Sequence, residues 1–327
     1  MDYIRDFVDL CSEIVYDIRK IEQKISLGGL YLGLSRKQFE ILSLLTLVSD
    51  KLSQRELAKK AGYSLGTVNS VLKELKSEHL VEDDQVTELG LAALKPYVVK
   101  KAVFIAAGFG SRLVPITLNT PKPLVRVKGK RIIDGLIDAC LEAGIEEIYI
   151  VRGYLSEQFD QLLYKYPMIK FIENPLFNEA NNISSALKAK DLLTNAYVFE
   201  ADLLISNPKI ITKYQYSSNF LAIPTEYTDD WCFTVKDGII QEEKVGGRDC
   251  WQMVGISYWN EEDGRKLAED IPHIFNSPGG KERYWEQVPL VYCKYRYQVA
   301  VRQCAFEDIV EIDTFRELQQ IDKAYMV

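Results

Sequence analysis

Residues 104–124 bring together groups that can bind and neutralise phosphate. The run Phe104-Ile105-Ala106-Ala107-Gly108-Phe109-Gly110-Ser111-Arg112-Leu113 is followed by Pro115, Thr117 and Thr120-Pro121-Lys122-Pro123-Leu124. Residues 103–106 read as a short buried strand. The two glycines then let the backbone pass close to a ligand, so N–H groups along Ala106, Ala107, Gly108, Gly110 and Ser111 can gather around phosphate oxygens. Arg112 adds a planar, permanently charged fork, and Lys122 a compact ammonium that can follow a moving charge. A nucleoside triphosphate suits such a loop. The commoner phosphate loops are excluded, because a dinucleotide fingerprint needs a third glycine where Leu113 stands and a Walker loop needs Gly-Lys-Ser/Thr.

Over these twenty residues the chain resembles the signature of nucleotidyltransferases that join a nucleoside triphosphate to a sugar phosphate or an alcohol phosphate. The chemistry is an in-line attack by a phosphate oxygen on the α-phosphorus, with pyrophosphate leaving. It demands charge neutralisation in a fixed geometry, normally with Mg2+. Magnesium keeps several waters, so one or two carboxylates suffice to hold it. Asp202 follows the apolar run 197–201, and Asp313 follows 309–312 and precedes a helix, so each sits where a strand runs out. Glu200-Ala201-Asp202 and Glu311-Ile312-Asp313 look like the two metal-binding aspartate positions of that family. Arg112, Lys122, Asp202 and Asp313 form the expected catalytic set, with Asp202 and Asp313 as the metal ligands.

The elements that must position these groups fall into two halves. At 327 residues the chain is long for one core, and its 47% hydrophobic and 27% charged residues are those of a globular protein. No apolar stretch approaches the ~20 residues that cross a bilayer. The start, Met1-Asp2-Tyr3-Ile4-Arg5-Asp6, lacks the basic and apolar regions of a signal peptide, so a cytoplasmic location without membrane partners is expected. Six dispersed cysteines and two histidines leave little material for zinc, and the thiols are expected in the core. The net charge of −7 makes no global case for nucleic acid.

Residues 1–98 read as helices and one hairpin. Phe39, Ile41, Leu42, Leu44, Leu45 and Val48 make a helical stripe. Ser53 and Glu56 form a capping box, Gly62 stops that helix, and Val68, Val71, Leu72 and Leu75 form one face of the next. A strand, an acidic turn at Glu82-Asp83-Asp84, a strand and a helix over 88–97 complete the order, which resembles a winged helix-turn-helix. Ser64, Thr67, Ser70, Lys73 and Lys76 would face a DNA groove. The segment carries 13 Lys and Arg against 15 Asp and Glu, a net of about −2, whereas DNA-binding faces are normally basic. Two uses therefore stand side by side: DNA reading, or a fold kept for dimerisation or regulation, a homodimer included.

Residues 99–327 change to short strands at 103–106, 148–151, 170–173, 197–200 and 220–225, alternating with helical runs at 132–143, 155–166 and 182–193. The expected fold is α/β: a mixed, mostly parallel sheet flanked by helices, Rossmann-like, with a ligand crevice at the carboxyl ends of its strands. Gly153-Tyr154, Asn181-Asn182-Ile183-Ser184-Ser185, Asp229-Asp230-Trp231-Cys232-Phe233, Gly255-Ile256-Ser257-Tyr258-Trp259 and Tyr284-Trp285-Glu286 follow in order. With the loop and both aspartates, they resemble bacterial CTP:phosphocholine cytidylyltransferases. That resemblance implies a nucleoside pocket lined by Gly153, Tyr154, Asn182 and Ser184, with CTP and phosphocholine as substrates. Two departures are Arg131, where the family commonly has proline, and Glu286, where the nearest relatives have aspartate.

A trimethylammonium is held by aromatic faces and a carboxylate. Trp231, Tyr284, Trp285 and Glu286 offer those parts, with Trp231 and Trp285 as the best cage walls and Trp259 as core. Acceptors carrying a primary amine, phosphoethanolamine or 2-aminoethylphosphonate, would favour carboxylates over a full aromatic box. A sugar-1-phosphate acceptor is a further alternative. The non-enzyme alternative is a nucleotide- or choline-sensing transcriptional regulator, against which the intact Arg112, Lys122, Asp202 and Asp313 speak.

Overall fold

The computed structural model describes residues 33–47 and 52–326. Cys11, Val48 and the acidic start lie outside the described residues. Two compact units meet at Lys95 and Pro96.

In the first unit, α1 (Arg36–Thr46), α2 (Gln54–Ala61) and α3 (Leu65–Ser77) bury Phe39, Ile41, Leu42, Leu57, Val68, Leu72 and Leu75. The Ser53–Glu56 capping box is present, and Gly62 ends α2 in the left-handed conformation. A hairpin of β1 (Val81–Glu82) and β2 (Gln85–Val86) turns through Asp83 and Asp84, and α4 (Glu88–Leu94) follows. Lys76 of α3 lies 2.8 Å from Asp84, so the acidic turn neutralises one of the lysines that would meet DNA.

In the second unit a seven-stranded sheet runs in the order β10 (Asn219–Lys236), β12 (Ala300–Gln303), β11 (Ile239–Trp259), β8 (Ala196–Glu200), β3 (Lys101–Ile105), β6 (Glu147–Arg152) and β7 (Lys170–Glu173). Pairings β8–β3–β6–β7 are parallel and β11–β8 is antiparallel. Successive side chains on a strand point to opposite faces. Phe104 and Phe199 therefore pack under α5 (Ile132–Glu142), while Val103 and Val198 pack under α6 (Ile183–Ala189) and α7 (Glu261–Phe275). Both faces are buried, which is why these strands read as continuous apolar runs. All five described cysteines are buried.

Three local expectations change. Residues 155–166 form a 3-10 helix, Ser156–Tyr164, entered through Leu155 at φ +46° without a side-chain cap. The run 182–193 is α-helical only to Ala189. The strand at 220–225 continues to Lys236 and pairs with β11 as a long hairpin, and α7 was not anticipated.

Candidate active site

The parallel register sets the site. Ile105 pairs with Glu200, so β3 and β8 end together and the loop after β3 faces the segment after β8. β9 (Leu203–Ile205) pairs antiparallel with β13 (Ile309–Glu311), which joins Leu203 to Glu311 and brings Asp313 beside Asp202. Gly110 has φ +67°, and a Cβ there would come within 3.0 Å of Lys122 Cβ, so only glycine lets the loop fold over the lysine.

A cavity of about 490 Å3 opens at this edge. Ala106, Ala107, Gly108, Gly110, Ser111, Arg112, Lys122, Asn182, Ser184, Asp202 and Asp313 line one part of it, with Trp231, Tyr284 and Glu286 beyond. Lys122 is buried, with Nζ 2.7 Å from Asp202 Oδ2 and 3.2 Å from Asp313 Oδ1. Arg112 donates one hydrogen bond to Asp313, Nη1 to Oδ2 at 2.7 Å, and its Nη2 lies 2.7 Å from Oδ1 as the second contact of the ion pair. Burial opposes the Lys122 charge, yet the Asp202 and Asp313 carboxylates raise its pKa above the ordinary value. Asp202 Oδ1 is buried without a partner.

Two further carboxylates crowd the same place. Glu200, Asp202 and Glu311 each bring an oxygen within 4.8 Å of the other two. Burial first, then the Asp202 and Glu200 charges, push Glu311 up to about 10, and burial raises Glu200 well above the usual carboxylate range. Each ends a strand two residues before an aspartate, so the strand end and the turn after it bring glutamate and aspartate to the same edge. That spacing was the available signal for them.

Asn174, 1% exposed and outside the expected set, donates to Ser184 Oγ at 2.9 Å and Ser185 Oγ at 3.0 Å. Asn182 Oδ1 accepts from the backbone N–H of Trp285 at 2.8 Å, tying the start of α6 to the 284–286 turn. Gly153 and Tyr154 stand behind the cavity wall. The Tyr154 N–H donates to Ala107 at 3.0 Å and its hydroxyl to the Thr117 carbonyl at 2.8 Å, so Tyr154 braces the phosphate loop. A Cβ on Gly153 would strike Phe177, itself part of the wall.

Across the cavity, one extra residue in β10 between the pairs Thr228–Gly247 and Trp231–Val245 makes a bulge, which delivers Asp230 and Trp231 to the wall. Trp231 and Tyr284 meet edge to face at 5.5 Å. Trp285 corrects the expected cage. It is 3% exposed, packs on Phe220 and Trp259 in the core, and lies outside the main cavity wall. Glu286, also 3% exposed, reaches that wall and is pushed up to about 8 by burial and then by the Glu243 charge.

A glycine loop and a lysine–aspartate cluster at the carboxyl edge of a mostly parallel sheet define a nucleotidyltransferase. The nucleotidyl transferase family model matches residues 101–230, and a winged helix-turn-helix DNA-binding model matches residues 34–82. A 2-aminoethylphosphonate cytidylyltransferase of Lancefieldella rimae is 35% identical over 69% of this chain and 93% of its own length. A choline-phosphate cytidylyltransferase of Streptococcus pneumoniae is 30% identical over 68% of this chain and 97% of its own. The solved CTP:phosphocholine cytidylyltransferase from Streptococcus pneumoniae, at 30% identity, superposes with a TM-score of 0.64 over 69% of this chain and 99% of that one. The chain belongs to the cytidylyltransferase family. Among the described residues no helix is long and apolar enough to cross a membrane.

Proposed function

We propose that the protein transfers CMP from CTP to a small acceptor bearing a phosphonate or phosphate at one end and a primary amine at the other, 2-aminoethylphosphonate above all, releasing pyrophosphate. One observation carries the choice of amine. The far end of the cavity is closed by the buried carboxylate of Glu286 and by one aromatic pair, Trp231 and Tyr284, while Trp285 is spent in the core. A primary ammonium donates hydrogen bonds to carboxylates, whereas a trimethylammonium needs more aromatic faces. The Lancefieldella relative acts, by its name, on the same acceptor. Phosphocholine is the second reading, favoured by the edge-to-face pair and by the choline-phosphate relative.

In this reading the loop N–H groups and Arg112 bind the triphosphate, and Asn182 and Ser184 border the nucleoside. Lys122 leaves its carboxylate partners to follow charge on the transferring phosphate and the departing pyrophosphate. Hard carboxylate donors and the unpartnered Asp202 Oδ1 fit a magnesium ion, which Asp202 and Asp313 would hold and which, when bound, would neutralise phosphate charge. For residues 1–98 we propose dimerisation or regulation over DNA reading, supported by the acidic turn and the Lys76–Asp84 pair. The test is pyrophosphate release from CTP, UTP, ATP and GTP against 2-aminoethylphosphonate, phosphoethanolamine, phosphocholine and glucose 1-phosphate. Turnover confined to a sugar phosphate would remove the reading.

A further inference from the structure

Asn174 follows the last residue of β7, and its buried side chain lines the cavity together with Ser184 and Ser185 of α6. Its Oδ1 accepts from the Leu176 backbone N–H at 3.0 Å. A backbone N–H can only donate, so the amide oxygen is fixed on that side and the NH2 group on the other. Both of the amide's N–H groups are then spent, on Ser184 Oγ at 2.9 Å and on Ser185 Oγ at 3.0 Å. Each serine accepts from Asn174 and must send its own proton elsewhere. Ser184 sends its proton to the Asn181 carbonyl at 2.8 Å. The Ser185 proton has no acceptor among the described residues.

A buried donor left without an acceptor is costly, so a ligand acceptor is what completes this one. Its place in the sheet says which part of the ligand. Asn174 leaves β7, the outer strand, two strands from the phosphate loop after β3 and on the side away from β8 and Asp202. Phe177 and Ala180, in the segment that joins Asn174 to α6, line the same cavity with apolar surface. A flat heterocycle with an acceptor on its ring fits apolar walls and one outward donor. Cytosine offers such an acceptor at N3, whereas uracil carries an N–H there. The same hydroxyl therefore meets a lone pair in one base and a second donor in the other.

We propose that Asn174 is a specificity-determining positioning residue for the nucleobase: it turns the Ser185 hydroxyl outward as a donor, so that the cavity favours cytosine, which accepts at N3, over uracil, which does not. The inference rests on the nucleotide half of the cytidylyl-transfer reading and deepens it by naming what chooses the base. To accept from a uracil N3–H, Ser185 would have to point its proton back at the Asn174 amide, where a donor already stands. Both N–H groups of Asn174 are held by the serines, so it acts through Ser185.

The experiment titrates the full chain with CTP and with UTP in a calorimeter, magnesium present, and then measures pyrophosphate release from each nucleotide with 2-aminoethylphosphonate, phosphoethanolamine or phosphocholine. One hydrogen bond gained against one donor left facing a donor is worth about tenfold or more, so the wild type should bind CTP tighter than UTP by that factor. Asn174→Asp keeps the size and the acceptor for Leu176 but has no N–H, so both serine hydroxyls turn to it and show lone pairs to the cavity. The CTP-over-UTP ratio should then fall by about tenfold or more in Kd and in kcat/KM, with the acceptor KM held within about twofold. A merely structural role would weaken both nucleotides alike and leave that ratio in place. Ser185→Ala removes the donor itself; it should raise the CTP Kd about tenfold and move that for UTP by less than about threefold, and it carries the test if the aspartate variant fails to fold. Equal binding of CTP and UTP by the wild type, an unchanged ratio in either folded variant, or a loss that falls on the acceptor KM overturns the role of Asn174. Failure of the transfer reading looks different: a wild type that prefers CTP in the calorimeter but releases no pyrophosphate with any of the three acceptors removes the transfer and leaves the choice of base standing.

Discussion

Lys122→Ala separates two jobs that one ammonium holds. In the ligand-free protein its Nζ lies 2.7 Å from Asp202 and 3.2 Å from Asp313, and the two carboxylate side chains are 21% and 20% exposed. Removing one partner of a fully buried pair costs about 3–5 kcal/mol. Here water reaches both carboxylates and Arg112 still holds Asp313, so ~1–2 kcal/mol is expected, a fall of roughly 2–8 °C in Tm for a unit of this size. The catalytic loss is larger. A preorganised cation at a transferring phosphate is worth about 3 kcal/mol, or at least a hundredfold in kcat/KM. The distinguishing sign concerns magnesium. With the competing ammonium gone, Mg2+ without CTP should raise the Tm of the variant by more than it raises that of the wild type. Thermal melts across a magnesium series at constant ionic strength, beside pyrophosphate-release assays, read both effects. A folded variant with near-wild-type turnover, or a magnesium response no larger than the wild type's, would refute the assignment.

Asp202→Asn and Asp313→Asn should weaken magnesium dependence more than thermal stability, because an amide oxygen lacks the charge a hard cation needs; overlapping magnesium titrations would dismiss both as ligands. Burial, then the Glu200 charge, pushes Glu243 up to about 7, and Glu286 stands at about 8, both above an ordinary 4.5. Since a protonated carboxyl cannot pair with an ammonium, kcat/KM for the amine acceptor should fall as pH drops from about 8 to 6. Stability runs the other way. Raised carboxyl pKa values stabilise the fold fully below the ordinary 4.5, and that contribution is lost as pH rises from about 4.5 to the folded values of about 7 and 8, so the ligand-free Tm contribution of these groups should decline across that range and level off above it, and Glu243→Gln should flatten the decline. Trp285→Leu should lower Tm with a small effect on acceptor KM, and Trp231→Leu the reverse; matching effects would show that both rings do the same work. Residues 1–98 should give weak duplex binding at physiological salt, and recovery of a tight, reproducible operator from random duplexes would overturn that expectation.

Arg112 and Asp313 stand 201 residues apart, yet the four groups were legible in the sequence: Arg112 and Lys122 through the glycine loop and the Thr120-Pro121-Lys122-Pro123 motif, Asp202 and Asp313 because each follows a strand, and strand pairing gathers such ends at one edge. The winged-helix order was legible through local signals, the Ser53–Glu56 box and Gly62. What failed depended on distant packing. Trp285 is adjacent to Glu286 in a motif, but the chain turns so that the carboxylate meets the cavity while the indole meets Phe220. Tyr154 belongs to the right motif and braces the loop from behind it. Glu243 sits among exposed, charged neighbours that mark an ordinary solvated strand, and only the fold of the hairpin buries its carboxylate. The α7 signal, Asn260 followed by three acids, was masked by Pro272 within the last turn.

The central claim is a cytidylyl transfer that selects a primary amine. A single-tube competition tests it: wild-type protein, limiting CTP and magnesium, with 2-aminoethylphosphonate and phosphocholine in equal and large excess. The product ratio then equals the ratio of the two kcat/KM values. The account predicts that CMP-2-aminoethylphosphonate exceeds CDP-choline by about tenfold or more, the discrimination expected of one charge-assisted ammonium site. An excess of CDP-choline would contradict it.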